Sequence, residues 1–133
     1  MRRHTYLALL AIAAMLAIAG GALAGDYPVS GKWTYDNASD PGPATNCSGP
    51  RTMTFGNSTR QDTVGSVPQL TNKSMTQTGD GQYRVVDAFY NGQSRGTVSY
   101  SMHVLDSDHL QINYDKGGTP FGNGGSLTLR RCQ

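Results

Sequence analysis

The chain has 133 residues, with eleven Lys and Arg against nine acidic residues, every one of them Asp, and it has two cysteines. Arg2 and Arg3 stand at the extreme N-terminus, so the rest carries nine positive and nine negative charges. That balance excludes a basic face for nucleic acid or an anionic membrane, and the length suits one domain with a modest core.

Arg2, Arg3 and His4 precede an apolar run from Leu7 to Ile18, and the small residues Ala22 and Ala24 follow. A basic start, an apolar centre and a small-residue end are the parts of a secretory leader. The run is too short for a membrane span. Residues 1–24 are expected to be a signal peptide cut after Ala24. Residues 25–133 then form a single exported domain, periplasmic or secreted. Gly25 at the first mature position lacks the thiol that a lipid anchor needs, so no membrane anchor is expected.

Beyond Gly25 the helix signals fade. Gly, Ser, Thr, Asn and Asp recur between short alternating runs, which is the pattern of an all-β chain. Strands are predicted at Gly31–Tyr35, Arg51–Gly56, Asn72–Gln77, Gln82–Tyr90, Ser94–Leu105, His109–Tyr114 and Ser126–Arg131. An eighth is expected within Gln61–Val67. Asp36–Pro50 and Asp115–Gly125 read as long loops, and Phe121 is a candidate lid in the second. Cys47 and Cys132 both lie in the exported part, so they are expected to pair and to close a loop of about 86 residues.

Two hairpins can be registered. Asn91-Gly92 suits a two-residue type I′ turn, which sets Val85 against Val98 and Tyr83 against Tyr100. A three-residue loop, Asp106-Ser107-Asp108, sets Met102 against Ile112 and Tyr100 against Tyr114. Tyr83, Val85, Asp87 and Phe89 then share an apolar face with Val98, Tyr100, Met102 and Val104, while Arg84, Thr97, Ser101, His103, His109 and Gln111 lie on a wet face. One dry face predicts a single antiparallel barrel of seven or eight strands, with a β-sandwich as the alternative. Asp87 is the exception in the dry row, opposite Gly96 in this register. A buried carboxylate requires a partner, so Asp87 is either turned outward by a bulge, tied to an Arg, or an anchor in an aromatic pocket.

Gly31-Lys32-Trp33 in the first strand, with Arg130 or Arg131 closing the last, resembles the calycin superfamily of lipocalin and avidin-like barrels. The resemblance implies a tryptophan plug at one barrel end with a basic side chain packed over its ring, a mouth at the other end, and an interior that holds a small apolar or aromatic molecule. Trp33, Tyr35, Tyr83, Asp87, Phe89, Tyr100, Met102, Tyr114 and Arg131 would contribute to that site. The chain has no second Trp, which removes a biotin site of the avidin kind.

Two other classes are open. Bacterial metalloprotease inhibitors are similar in being small disulfide-bonded barrels with an early G-x-W, and Gly25–Gly31 would be the inserting arm for a secreted protein partner. His103 and His109, beside Asp106 and Asp108, are the candidate ligands for zinc or copper. No GxSxG, no glutamate pair and no Walker loop is present, so no enzyme and no cofactor is expected. Four N-x-S/T triplets, at Asn37, Asn46, Asn57 and Asn72, read as by-products of loop composition.

Overall fold

The computed structural model describes residues 25–35, 42–45, 47, 51–63, 69–116 and 123–133. Eight antiparallel strands follow one another around a closed barrel: β1 Gly31–Tyr35, β2 Thr52–Phe55, β3 Thr59–Asp62, β4 Gln69–Gly79, β5 Gln82–Tyr90, β6 Arg95–Val104, β7 His109–Lys116 and β8 Asn123–Arg131. β8 closes on β1, with Trp33 opposite Arg131 and Tyr35 opposite Leu129. The all-β expectation holds, and the barrel rather than the sandwich is the form adopted. Closure gives every strand a hydrogen-bonded neighbour on both sides, which is how an up-and-down sheet avoids an open edge strand. The leader, the lid candidate Phe121 and most of the 36–50 loop lie outside the described residues.

Alternation sorts the side chains as expected. Trp33, Met53, Leu70, Val85, Val98, Tyr100, Met102, Leu110, Ile112 and Leu129 point inward and are almost wholly buried. The second hairpin has the predicted register, Met102 opposite Ile112 and Tyr100 opposite Tyr114. The first is shifted. Tyr90 pairs with Arg95, and Val85 with Tyr100, so the connection is four residues long rather than two. Asn91 explains the shift. Its Oδ1 accepts from the backbone N–H of both Gln93 and Ser94, at 3.0 and 2.7 Å, which favours a longer side-chain-braced turn. Because the shift is two residues, every side chain keeps its predicted face.

The shift changes two cross-strand neighbours. Asp87 lies opposite Val98, and Gly96 lies opposite Phe89. A methyl group at Gly96 would stand 2.9 Å from the Phe89 ring, so the glycine makes room for that ring. A bulge does occur near Asp87, but in its neighbour. β4 is irregular between Asn72 and Ser74, while β5 runs straight and keeps Asp87 inward. The turn joining β4 to β5 uses Gly81 at φ 64°, where a Cβ would meet the Val104 carbonyl at 2.7 Å.

The disulfide Cys47–Cys132 is present. It ties the β1–β2 connection to the end of β8, where Ala44 also forms a bridge with Cys132. Ala44 N donates to Arg131 O at 2.6 Å and Gln133 N donates to Ala44 O at 3.1 Å.

Candidate binding site in the barrel interior

One end of the barrel is closed by the residues preceding β1. Tyr27 N donates to Asn57 O, across the β2–β3 turn, at 3.0 Å. The Tyr27 ring is buried and packs edge-on against Phe55 at 5.1 Å between centroids. Trp33 is fully buried, and its indole N–H donates to Ser30 O at 3.1 Å. The Arg131 guanidinium lies 5.3 Å from the Trp33 ring centre and donates to the Ser107 carbonyl. The expected indole–guanidinium pairing is therefore formed by Arg131 rather than Arg130. Its side chain is 44% exposed, so Arg131 caps the end from outside and does not line the interior.

Inside, the barrel carries a charged cluster. Arg60 of β3 is fully buried. Its Nη2 donates to Asp62 Oδ2 at 3.0 Å and to the Tyr114 hydroxyl at 3.0 Å. Its guanidinium stands 4.9 Å from the Tyr100 ring centre and 5.8 Å from that of Tyr114. Asp87 is fully buried too and accepts from three neutral donors: Tyr100 Oη at 2.6 Å, Tyr27 Oη at 2.9 Å and Asn72 Nδ2 at 3.1 Å. Arg60 Nη1 reaches Asp87 Oδ2 at 3.8 Å, an ion-pair distance but too long for a hydrogen bond. Asp87 is thus both tied to an arginine and set among aromatics.

The electrostatics follow from burial. Burial works against the charged form of Arg60, but Tyr100, Tyr114, Asp62 and Asp87 outweigh it and hold the guanidinium protonated. Burial raises the hydroxyls of Tyr27, Tyr100 and Tyr114, so all three stay neutral and act as donors or acceptors only. Burial also raises the Asp62 carboxyl above its ordinary 3.8, with Arg60 opposing and Asp87 reinforcing the rise. A raised folded value means that the native state binds this proton more tightly than the unfolded chain. The Asp62 contribution to stability therefore grows as pH falls from neutral through its folded value, and is complete below 3.8. Urea midpoints from pH 7 to pH 4 check this: the wild type should gain on an Asp62→Asn variant as pH drops, and a constant gap would refute it.

Three polar atoms in the cluster have no hydrogen-bond partner in the protein: Arg60 Nε, Arg60 Nη1 and Asp62 Oδ1. Two donors and one acceptor, all buried, lie within one small region. The expected lining residues Tyr35, Tyr83, Asp87, Phe89, Tyr100, Met102 and Tyr114 are inward or packed on the core, with Tyr35 and Tyr83 half-buried. Arg60, Asp62, Tyr27 and Asn72 complete the cluster and are absent from the sequence reading of the site. β3 reads Thr-Arg-Gln-Asp, with no apolar alternation to mark its inner face. The available signal was the inward Asp87, which demands a cation, and the pair Arg60 and Asp62 at strand spacing.

No known protein family matches this chain, and no characterised protein or solved structure is similar enough to carry an argument.

His103 faces Gln111 on the outer surface, as its register requires. His109, expected on the wet face, is buried, and its Nδ1 lies 2.8 Å from Asp106 Oδ1. Among the described residues no group of three His, Cys, Asp or Glu gathers to hold a metal. Asn72, within an N-x-S triplet, is buried beside Asp87. The arm that would insert into a protease is docked on its own barrel, so such insertion requires Tyr27 to leave Asp87 first. On the outer face, an open depression of about 560 Å³ lies between β4, β5 and β6, bordered by Lys73, Tyr90 and Arg95. Among the described residues no helix is long and apolar enough to cross a membrane.

Proposed function

We propose that this protein is an exported, non-enzymatic, calycin-like binding barrel that holds one small molecule in its interior beside Arg60 and Asp62. The observation that carries the reading is the set of three buried polar atoms on those two side chains that make no hydrogen bond within the protein, Arg60 Nη1 having only its longer ion pair to Asp87. Buried donors and acceptors are costly unless matched, and a site of this kind marks where a further molecule completes the bonding. Eight-stranded barrels are the size that is either filled by side chains or holds one small ligand. Such a ligand carries a neutral head that both donates and accepts, and Tyr35 and Tyr114 are the aromatic neighbours of the two side chains. A hydroxyl or primary amide has that capacity. A carboxylate offers no donor to Asp62 Oδ1. Entry is from the end opposite Trp33, past half-buried Tyr35. The disulfide supports an oxidising, non-cytoplasmic compartment, and the leader at residues 1–24, cut after Ala24, supplies the route there.

Thermal unfolding with phenol, benzamide and benzoate as probes tests the reading. Phenol and benzamide should raise the melting temperature in a saturable way and benzoate should not, and Tyr35→Ala should weaken the effect. Absence of any shift, together with a crystal structure in which ordered waters satisfy Arg60 Nε and Asp62 Oδ1, would end it.

A further inference from the structure

The interior cluster is one positive charge short. Arg60 stands against two carboxylates, and its short contact goes to Asp62. Asp87 is left with three neutral donors and an ion pair at 3.8 Å. Among these donors, Asn72 is the one that leads outward. Its Nδ2 donates to Asp87 Oδ1, and its Oδ1 accepts from the backbone nitrogen of Gly25 at 3.1 Å. Gly25 is half-buried, with nothing within 4 Å of a Cβ built on it. The nitrogen at this position is therefore one amide group away from the buried carboxylate. Gly25 is also the residue that the leader pattern places first in the mature chain.

We propose that Gly25 is the processed N-terminus of the folded barrel and that its α-ammonium serves as the missing counter-ion for Asp87. The inference rests on the export reading above. The step is a hydrolysis. A signal-peptidase-class protease adds water across the Ala24–Gly25 peptide bond, Ala24 leaves as a carboxylate, and the Gly25 nitrogen leaves as an ammonium. An uncharged N–H at Asn72 Oδ1 becomes a cation with three donors. The charges in and beside the lumen then balance: Arg60 and the ammonium against Asp62 and Asp87. Asp26 on the same arm and Lys73 next to Asn72 are exposed, so solvent screens both. Tyr27, two residues along, holds the arm by its own hydrogen bond to Asp87, which positions the new terminus. Leader removal thereby completes the core electrostatically as well as releasing the chain.

The test compares the chain beginning at Gly25 with the same chain Nα-acetylated at Gly25. Acetylation keeps the N–H donor and removes the charge. The free-amine chain should melt several degrees higher at pH 7, and the gap should close in an Asp87→Asn background. Should Asp87→Asn fail to fold, titration of the α-amine in the wild type decides: its pKa should lie above the usual range of about 7.7–8.0. Equal melting temperatures with an amine in the usual range would overturn the counter-ion. Mass spectrometry of the chain exported from a bacterial host reads the other half: a terminus other than Gly25 would overturn the processing site, whatever the interior binds. A Gly25 terminus with equal melting leaves the export reading intact and removes only the ammonium's role.

Discussion

Replacing Arg60 by Ala should destabilise the protein by about 3–5 kcal/mol, because two buried carboxylates lose their shared guanidinium. Single domains are stable by roughly 5–15 kcal/mol in all, so this one change brings the chain near its unfolding threshold. The cost comes from uncompensated charge and not from the lost side-chain volume alone. A triple variant, Arg60→Met with Asp62→Asn and Asp87→Asn, should therefore recover most of the loss, since it removes the charges together. Urea denaturation with the disulfide intact measures all three chains. An Arg60→Ala midpoint equal to the wild type would show that the ion cluster does not hold the core. Arg60→Ala far below the wild type, with the triple variant no better, would assign the loss to packing around Tyr100 and Tyr114, both of which the guanidinium overlies.

The second large effect belongs to the disulfide. Cys47 and Cys132 are 85 residues apart in sequence, so the bond closes most of the domain into one loop. Chain-entropy arithmetic for a loop of that length gives about 4.5 kcal/mol, lost on reduction. A Cys47→Ala, Cys132→Ala chain should melt on the order of 20 °C below the wild type. The native contacts at the site will soften but not vanish, because Ala44 keeps its backbone bonds to Arg131 and Gln133 without the sulfurs. A drop of only a few degrees would mean that these bonds, and residual order in the unfolded chain, already restrain the loop.

These two expectations also show how the molecule is organised. The disulfide acts at the perimeter, on the unfolded state, and its two residues are visible in any reading of the sequence. The Arg60 cluster acts at the centre, on the folded state, and involves residues from the N-terminal arm and from β3, β4, β5, β6 and β7. The two are independent in space, so their effects should add.

Much of the architecture was legible without coordinates. β1 and β5 have the bounds that alternation predicts, and the β6–β7 hairpin has its predicted register. The inward rows of Val85, Asp87 and Phe89, and of Val98, Tyr100 and Met102, follow from period-two patterning alone. The pairing of Trp33 with a terminal arginine was expected from G-x-W and the final strand, and Arg131 supplies it. The misplacements have local causes. β3 begins two residues earlier than expected because Thr-Arg-Gln-Asp has no apolar signature. The β5–β6 turn is longer because Asn91 braces it from its side chain.

What the sequence determined by itself is therefore the approximate set of strands, their two faces, and the pairing of the two cysteines. Alternation acts between neighbours a few residues apart, so it can be read along the chain. The contents of the lumen were decided only in three dimensions. Closing β8 onto β1 brings together Tyr27, Arg60, Asp62, Asn72, Asp87, Tyr100 and Tyr114, which no local pattern links. A charged side chain can turn inward there because its partners arrive from other strands, and that compensation exists only once the barrel has closed.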